Sequence, residues 1–178
     1  MRWSQLRKQV EDRFAPSVHG RIALRTAYYR HAHDSDGRAW IEFDGRAVAT
    51  MCYFQALRAR WDIAKDLEKR SEEADATPDD HTPPDRDAFA EAIVVSRRAG
   101  ILSQQDFYAL LHEYLRQPID TLLSADDPVT RGLAVLDKRT GKRRLRTLAS
   151  TPDTHPLVRE MLSFRCAAEG ITIALNAY

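Results

Sequence analysis

The residues best able to do chemistry are concentrated in one stretch of the chain, residues 138–146, which we call the basic segment. It places six cations around Gly141 within nine residues: Lys138, Arg139, Lys142, Arg143, Arg144 and Arg146. Guanidinium forks bind phosphate and carboxylate, and a glycine lets backbone N–H groups approach an anion. The segment therefore predicts an anion-binding site, to which Arg159 and Arg165 could contribute. It is not a P-loop, because the strand and spacing of that motif are absent.

The counter-charge for the basic segment could lie within the chain itself. Lys and Arg against Asp and Glu number 11 and 6 in residues 1–61, 7 and 16 in 62–127, and 9 and 4 in 128–178. The net charge of +1 thus hides an acidic middle between two basic ends. Three hypotheses stay open for the segment: a solvated face or a self-contact with the acidic region 72–91, a nucleic acid partner, or an acidic protein partner. The same self-contact between two chains would give a homo-oligomer.

Six other residues are candidates for catalysis. Two histidines at i and i+2 share one side of a strand, and a following carboxylate could complete an open metal site. A third histidine, at the start of the last predicted helix, could act as a base beside the arginines. The first group is His31, His33 and Asp34, and the second is Asp137, His155 and Glu169. Together they define the alternative hypothesis of a small metal-dependent hydrolase or nuclease.

The recognised catalytic signatures are missing from the sequence. It contains no Gly-x-Ser-x-Gly elbow, His-Glu-x-x-His pair, Walker sequence or dinucleotide fingerprint. We therefore predict no cofactor, assign no metal, and favour a non-enzymatic binding or accessory protein over an enzyme. The sequence has no signal peptide and no apolar run long enough for a membrane span, so we expect a cytoplasmic protein without membrane contact. Cys52 and Cys166 are interpreted as small core residues.

The N-terminal third predicts a helix followed by an antiparallel meander. Apolar residues recur every four positions from Gln5 to about Ala15, with Ser4 as the cap. Alternating runs over 21–28, 38–43 and 46–51 predict three strands, with a type I′ turn at Asp44-Gly45. The long helical pattern from Tyr53 to Thr77 is expected to cover the apolar face of this sheet.

The rest of the chain predicts mainly helices. Residues 77–86, acidic and rich in proline, are interpreted as an exposed flexible loop. Helices are predicted over 87–98, 103–116 (with Ser103 and Asp106 at capping-box spacing), 118–123 and 156–169, and from the Asp127-Pro128 cap onward. Residues 131–149 fit either two helices bent at Thr140-Gly141 or a β-hairpin, and we favour the helices. Residues 171–175 could form a final strand.

These elements predict the α+β class. The expected fold is a small antiparallel sheet of three to four strands near the N-terminus, packed by helices, with a mainly helical C-terminal half. At 178 residues the whole chain, 1–178, is expected to be one domain.

Five short segments of the sequence together carry a resemblance to a known family. They are Met1-Arg2-Trp3-Ser4, Tyr29-Arg30-His31, Gly37-Arg38-Ala39-Trp40-Ile41, the run from Leu136 to Leu145, and His155-Pro156-Leu157-Val158. Together they resemble a family of small bacterial conserved hypothetical proteins, with similarity running nearly end to end. No established activity goes with that family. The resemblance therefore implies a bacterial source and a free-standing small protein, and it assigns no catalytic or ligand role.

Overall fold

The computed structural model describes residues 2–28, 37–71, 83–151 and 153–172. The strands are β1 (Ile22–Tyr28), β2 (Gly37–Phe43) and β3 (Arg46–Cys52). The helices are α1 (Trp3–Glu11), α2 (Tyr53–Ser71), α3 (Arg86–Arg98), α4 (Gln104–Tyr114), α5 (Ile119–Leu123), α6 (Pro128–Leu136), α7 (Lys142–Ser150) and α8 (Pro156–Glu169). The α+β class and the mainly helical C-terminal half are therefore confirmed. None of the helices in the described ranges is long and apolar enough to cross a membrane.

The sheet is an antiparallel meander in the order β1-β2-β3. Its inner face is apolar and buried: Ile22, Leu24, Ala39, Ile41, Phe43 and Met51. Asp44 and Gly45 join β2 to β3 with φ angles of 47° and 82°. Both angles are positive, as a type I′ turn requires, so the predicted Asp-Gly turn is confirmed.

Helices α1 and α4 cover the inner face of the sheet, which corrects the prediction that α2 would do so. Val10 of α1 and Phe107 and Leu111 of α4 belong to one hydrophobic cluster with the sheet residues. α2 packs against α3 instead. The apolar side chains that α2 buries fully are only Ala56 and Ala64. Because stabilisation scales with the apolar area removed from water, the larger side chains of α4 make the better cover.

A polar link joins α2 and α3 to the start of α4. Arg60 of α2 donates to Ser96 Oγ of α3 at 3.2 Å and to Asp106 Oδ2 of α4 at 2.5 Å. Asp106 also accepts from the Ser103 backbone N–H at 2.8 Å, which completes the predicted capping box with Asp in place of the usual Glu. Burial opposes ionisation here, but the bonds from Ser103 and Arg60 outweigh it and lower the pKa of Asp106.

Helices α6 and α8 form the centre of the C-terminal half. Both begin beside Gly100, where Pro128 and His155 lie within 3.5 Å of the position a Cβ atom would take. Gly132 of α6 lets the two helices approach closely, since a Cβ on it would lie 2.2 Å from Met161 Sδ of α8. α7 packs against both through a second cluster: Val135, Leu145, Ala149, Val158, Leu162 and Cys166. Residues 131–149 thus contain the two helices favoured over the hairpin, with residues 137–141 as the turn between them.

The start and end of α1 differ from the prediction. The helix begins at Trp3 with Arg2 as its N-cap, not at Gln5 with Ser4, and it ends at Glu11. It stops before Ala15 because that residue donates its backbone N–H to the Leu136 carbonyl at 3.0 Å. Pairing with a distant segment therefore outweighs the local helical pattern.

Two other predictions fall partly outside the described residues. Residues 83–85 have no regular structure, and Arg86 already begins α3, while 77–82 are not described. Ile171 and Thr172 are not part of a strand, and 173–175 are not described. Cys166 is buried as predicted, whereas Cys52 is only half-buried.

The contact between α6 and α8 predicts that Gly132→Ala destabilises the protein. Met161 is fully buried, so it cannot move away from the new methyl group without disturbing its neighbours. Overpacking costs about 1–3 kcal/mol, which should exceed the ~1 kcal/mol that alanine gains over glycine in a helix. The matched control is Gly141→Ala, where a Cβ meets no atom within 4 Å. Urea unfolding should show a lower midpoint for the first variant only, and equal midpoints would contradict the packing argument.

Candidate anion-binding site

The basic segment begins in a turn between α6 and α7 that is attached to the chain just after α1. The backbone N–H of Lys138 donates to the Arg13 carbonyl at 2.8 Å. Its side-chain Nζ donates to the Asp12 carbonyl at 2.9 Å. The first cation of the segment therefore caps the C-terminal end of α1, where carbonyl groups lack helical partners.

Asp137 lies directly before the basic segment and is the one fully buried carboxylate among the described residues. Its exposed fraction is 0%. Oδ1 accepts the backbone N–H of Arg139 at 2.8 Å, and Oδ2 accepts the hydroxyl of Tyr114 at 2.6 Å and the Arg139 guanidinium at 2.8 Å. The guanidinium also donates to the Gln117 carbonyl at 3.0 Å. Arg139 is thus held by protein groups on both sides.

The ionisation of this cluster follows from burial and hydrogen bonding. Burial alone would raise the pKa of Asp137, but the bonds from Arg139 and Tyr114 outweigh it and lower that pKa below its ordinary value. Burial, and then the charge of Asp137, raise the pKa of Tyr114. The bond to Asp137 raises the pKa of Arg139. Near neutral pH the cluster is therefore an ion pair that accepts a hydrogen bond from a neutral phenol.

Four of the six cations of the basic segment are occupied by groups of the protein itself. The pairs are Lys138 with the Asp12 carbonyl (2.9 Å), Arg139 with Asp137 (2.8 Å), Lys142 with Glu169 (3.4 Å) and Arg144 with Asp120 (2.7 Å). None of these partners lies in residues 83–91, the described part of the acidic region. Arg143 and Arg146 are exposed and have no partner among the residues that the structure describes.

The two arginines expected from the last helix have opposite surroundings. Arg159 is exposed. Arg165 is only 3% exposed, and its Nη1 lies 2.9 Å from Glu169 Oε1 and 2.5 Å from Ser17 Oγ. Ser17 in turn donates to Glu169 at 2.6 Å. Burial lowers the pKa of Arg165, and the charge of Glu169 opposes that shift. The Arg165 guanidinium is therefore bound by groups inside the protein and does not reach the surface to contact a ligand.

The catalytic candidates do not form one cluster in the described part of the chain. His31, His33 and Asp34 lie outside it. His155 is the N-cap of α8, and its Nδ1 accepts the Leu157 backbone N–H at 3.3 Å. Glu169 is the last of the 14 residues of α8, so a rise of 1.5 Å per residue separates it from His155 by about 20 Å.

Metal ligation has no support within the described residues, where no group of three or more His, Cys, Asp or Glu side chains could hold an ion. Asp137, already saturated by Arg139 and Tyr114, offers no lone pair toward solvent. The hydrolase hypothesis and the homo-oligomer stay predictions.

Tyr114 is the main residue of this cluster that sequence reasoning missed. It lies on the buried face of α4 with an exposed fraction of 1%. A buried tyrosine needs a partner for its hydroxyl, and that rule could have paired it with a buried acid. Tyr114 pairs with Asp137 because of the way α4 and α6 meet, and the sequence pattern does not specify that contact.

The fold and this cluster define an α+β protein in which a small sheet and a helical half are joined around a buried Asp-Arg-Tyr network. The model of the SF0329 protein family matches residues 2–166 of the chain. The chain therefore belongs to the SF0329 protein family, a family of unknown function, which confirms the resemblance to an uncharacterised family. No curated protein and no solved structure matches it.

The buried network predicts that Asp137→Ala is strongly destabilising. Removing the carboxylate leaves the buried Tyr114 hydroxyl without its acceptor, which costs about 1–3 kcal/mol. It also removes the ion-pair partner of the Arg139 guanidinium, which is 28% exposed. The control is Asp120→Ala, which breaks the exposed pair with Arg144 and should cost at most ~1 kcal/mol. Urea unfolding of both variants at pH 7 tests the contrast. Similar losses in the two variants would show that Asp137 is no more important than a surface carboxylate.

The lowered pKa of Asp137 also predicts the pH dependence of stability. In the unfolded chain this carboxyl takes up a proton at higher pH than in the folded protein. Its contribution is therefore complete at neutral pH and is lost as the pH falls below about 5 toward the folded-state pKa. Asp137→Asn removes the contribution, so the stability difference between wild type and this variant should shrink between pH 7 and pH 3.5. A difference that stays constant over this range would contradict the assignment.

Proposed function

We propose that this protein is a non-enzymatic accessory protein that binds nucleic acid through three arginines of the α7–α8 hairpin. These residues, Arg143, Arg146 and Arg159, are called the hairpin arginines below. The proposal rests on one observation: the hairpin has an excess of unpaired positive charge. Each carboxylate of residues 138–169 is in an ion pair: Asp153 with Arg131, Glu160 with Arg46 and Glu169 with Arg165. The hairpin arginines have no such partner among the described residues, so the uncompensated charge there is positive.

The geometry of α7 supports the placement of two hairpin arginines, Arg143 and Arg146, on one exposed surface of the helix. Leu145 and Ala149 are buried one helical turn apart and face the core. Arg143 and Arg146 are exposed and three residues apart on the helix, so their Cβ atoms lie about 5–6 Å from each other. Their guanidinium groups can therefore contact neighbouring anions on one surface.

Helix α8 brings the third arginine to the same hairpin. α7 and α8 run antiparallel, since Lys142 at the start of α7 pairs with Glu169 at the end of α8. Arg159 is exposed on α8 next to Val158, which packs in the cluster between the two helices. Lys142, with a side-chain exposure of 58%, shares Glu169 with Arg165, so this trio keeps one uncompensated positive charge and adds to the positive potential of the hairpin.

Nucleic acid is favoured over an acidic protein because the unpaired cations of the hairpin are all arginines. The planar guanidinium binds phosphate oxygens through two parallel hydrogen bonds and stacks on bases, which an ammonium group cannot do. Contacts with the phosphate backbone need no base-specific geometry. The proposed binding is therefore sequence-independent and dependent on salt.

The salt dependence of binding tests the hairpin arginines. For duplex DNA each phosphate contact contributes about −0.9 to the slope of log K against log salt concentration. The triple variant Arg143→Ala/Arg146→Ala/Arg159→Ala should lower affinity for a labelled duplex and reduce the magnitude of this slope by about 2–3. Fluorescence anisotropy between 50 and 200 mM salt measures both quantities.

A matched control removes the same charge elsewhere. Lys69, Arg70 and Arg86 are exposed on α2 and α3, and their triple alanine variant changes the net charge by the same amount. Its slope should stay close to that of wild type. If both variants lose the same slope, binding reflects net charge alone and the proposed site is incorrect. Equal or tighter binding of an acidic peptide such as polyglutamate by wild type would instead favour an acidic protein partner and overturn the nucleic acid proposal.

A further inference from the structure

The outer face of the sheet is a second candidate surface for binding. Its side chains are those that alternate with the buried ones along each strand: Ala23, Arg25 and Ala27 on β1, Arg38, Trp40 and Glu42 on β2, and Ala47, Thr50 and Cys52 on β3. None of them belongs to the hydrophobic clusters formed by the described residues. Arg25, Arg38 and Thr50 are exposed, and Trp40 is half-buried.

Trp40 occupies the centre of this face and is fixed in position. It lies on the middle strand, opposite Arg25 of β1 and Thr50 of β3. Its indole N–H donates to Glu42 Oε1 at 2.7 Å. The Cζ atom of Arg38 lies 4.9 Å from the centroid of the indole ring, within the range of a cation–π contact. The indole therefore has a hydrogen bond at its edge and a guanidinium over its face.

The charges on the face leave one cation uncompensated. Glu42 Oε2 accepts from Arg25 Nε at 3.0 Å, so these two charges neutralise each other. The bonds from Trp40 and then Arg25 lower the pKa of Glu42, which keeps this carboxylate ionised. Arg38 has no carboxylate partner among the described residues. An anionic ligand that also offers a flat π-surface would complement both the Arg38 charge and the arginine-covered ring.

We propose that the outer face binds single-stranded nucleic acid, with one base stacked on the Arg38–Trp40 pair and its phosphate near Arg38. Unpaired bases stack on aromatic rings and on guanidinium planes at exposed sheet faces. The bases of a duplex are stacked within the helix and cannot reach such a platform, so this surface selects single strands. The inference rests on the proposed function in taking nucleic acid as the ligand, but it uses none of the hairpin arginines.

The test compares binding of a fluorescein-labelled 12-nucleotide single strand with binding of its duplex, by anisotropy at low salt. Loss of one base–aromatic stack should weaken single-strand binding by Trp40→Leu about tenfold or more. Duplex binding should stay within about twofold, because the duplex makes only phosphate contacts. Trp40→Phe keeps a ring without the indole N–H, so it should retain most of the single-strand affinity if stacking matters. Arg38→Ala should weaken single-strand binding as well.

Val48→Ala, which shortens a β3 side chain that packs on the inner cluster, is the control for a general disturbance of the sheet and should bind both ligands as wild type does. Thermal unfolding confirms that each variant is folded. Equal weakening of single strand and duplex by Trp40→Leu, or equal affinity of Trp40→Leu and Trp40→Phe, would overturn the inference.

The hairpin triple variant separates the two proposals. If it binds duplex as wild type does while Trp40→Leu still loses single strand, the proposed function fails and the sheet platform stands. If the hairpin variant loses duplex binding and Trp40→Leu has no effect, the sheet platform is refuted and the proposed function stands.

Discussion

The buried carboxylate of Asp137 is the interaction on which the arrangement of the helical half depends. Removing a carboxylate from water costs several kcal/mol, and only close opposite charge and hydrogen bonds offset that cost. Arg139 and Tyr114 supply them. Tyr114 belongs to α4, Asp137 follows α6, and the Arg139 guanidinium reaches the Gln117 carbonyl after α4. The end of α4 and the end of α6 must therefore meet at one point, and the backbone pairing of 136–138 with 13–15 adds the chain after α1 to it.

The fold changes how the cations of the basic segment are interpreted. Six positive charges in nine residues indicate an anion site when the sequence is considered alone. In the fold, four of them are distributed to different protein acceptors around the turn, and only Arg143 and Arg146 remain without one in the described chain. The reason is geometric: along a turn and a short helix, successive cations meet partners at the ends of α1 and α4 and then on α8 and α5. Charge density along a sequence therefore overestimates the charge that a surface presents.

Local features of the fold were predictable because they depend on neighbouring residues. The Asp44-Gly45 turn, the Ser103-Asp106 capping box and the Gly170 stop of α8, which has φ of 67°, each follow from the conformational preferences of a few residues. Features that depend on distant contacts were not predictable in the same way. The choice of α4 over α2 as cover for the sheet, the early end of α1 and the burial of Arg165 each follow from which surfaces meet.

The residues of the candidate site also divide into those that local patterns predict and those whose surroundings depend on distant contacts. The exposure of Arg159 and the burial of Arg165 could not be separated by spacing, because both lie in one helix with mixed faces. Arg165 is buried because the chain after α1 brings Ser17 against the end of α8. The position of Trp40 on the outer face was also not predictable from the pattern, because alternation along a strand does not show which face another element covers. Only the assignment of α1 and α4 to the inner face identifies the outer face as the one that carries Trp40.

Helix α8 connects the two surfaces that we assign to nucleic acid. Phe164 of α8 stacks on Phe43 of β2 with ring centroids 4.3 Å apart, and Glu160 pairs with Arg46 of β3. Arg159 precedes Glu160 on the helix, and Trp40 lies three residues from Phe43, about 10 Å along the strand. The hairpin arginines and the sheet are thus joined by packed side chains and not by a linker. Phe43 is on the inner face and Trp40 on the outer face, so α8 packs on the side of the sheet opposite the platform. One ligand could contact both surfaces only by passing the edge of the sheet, and the two surfaces are therefore expected to bind independently.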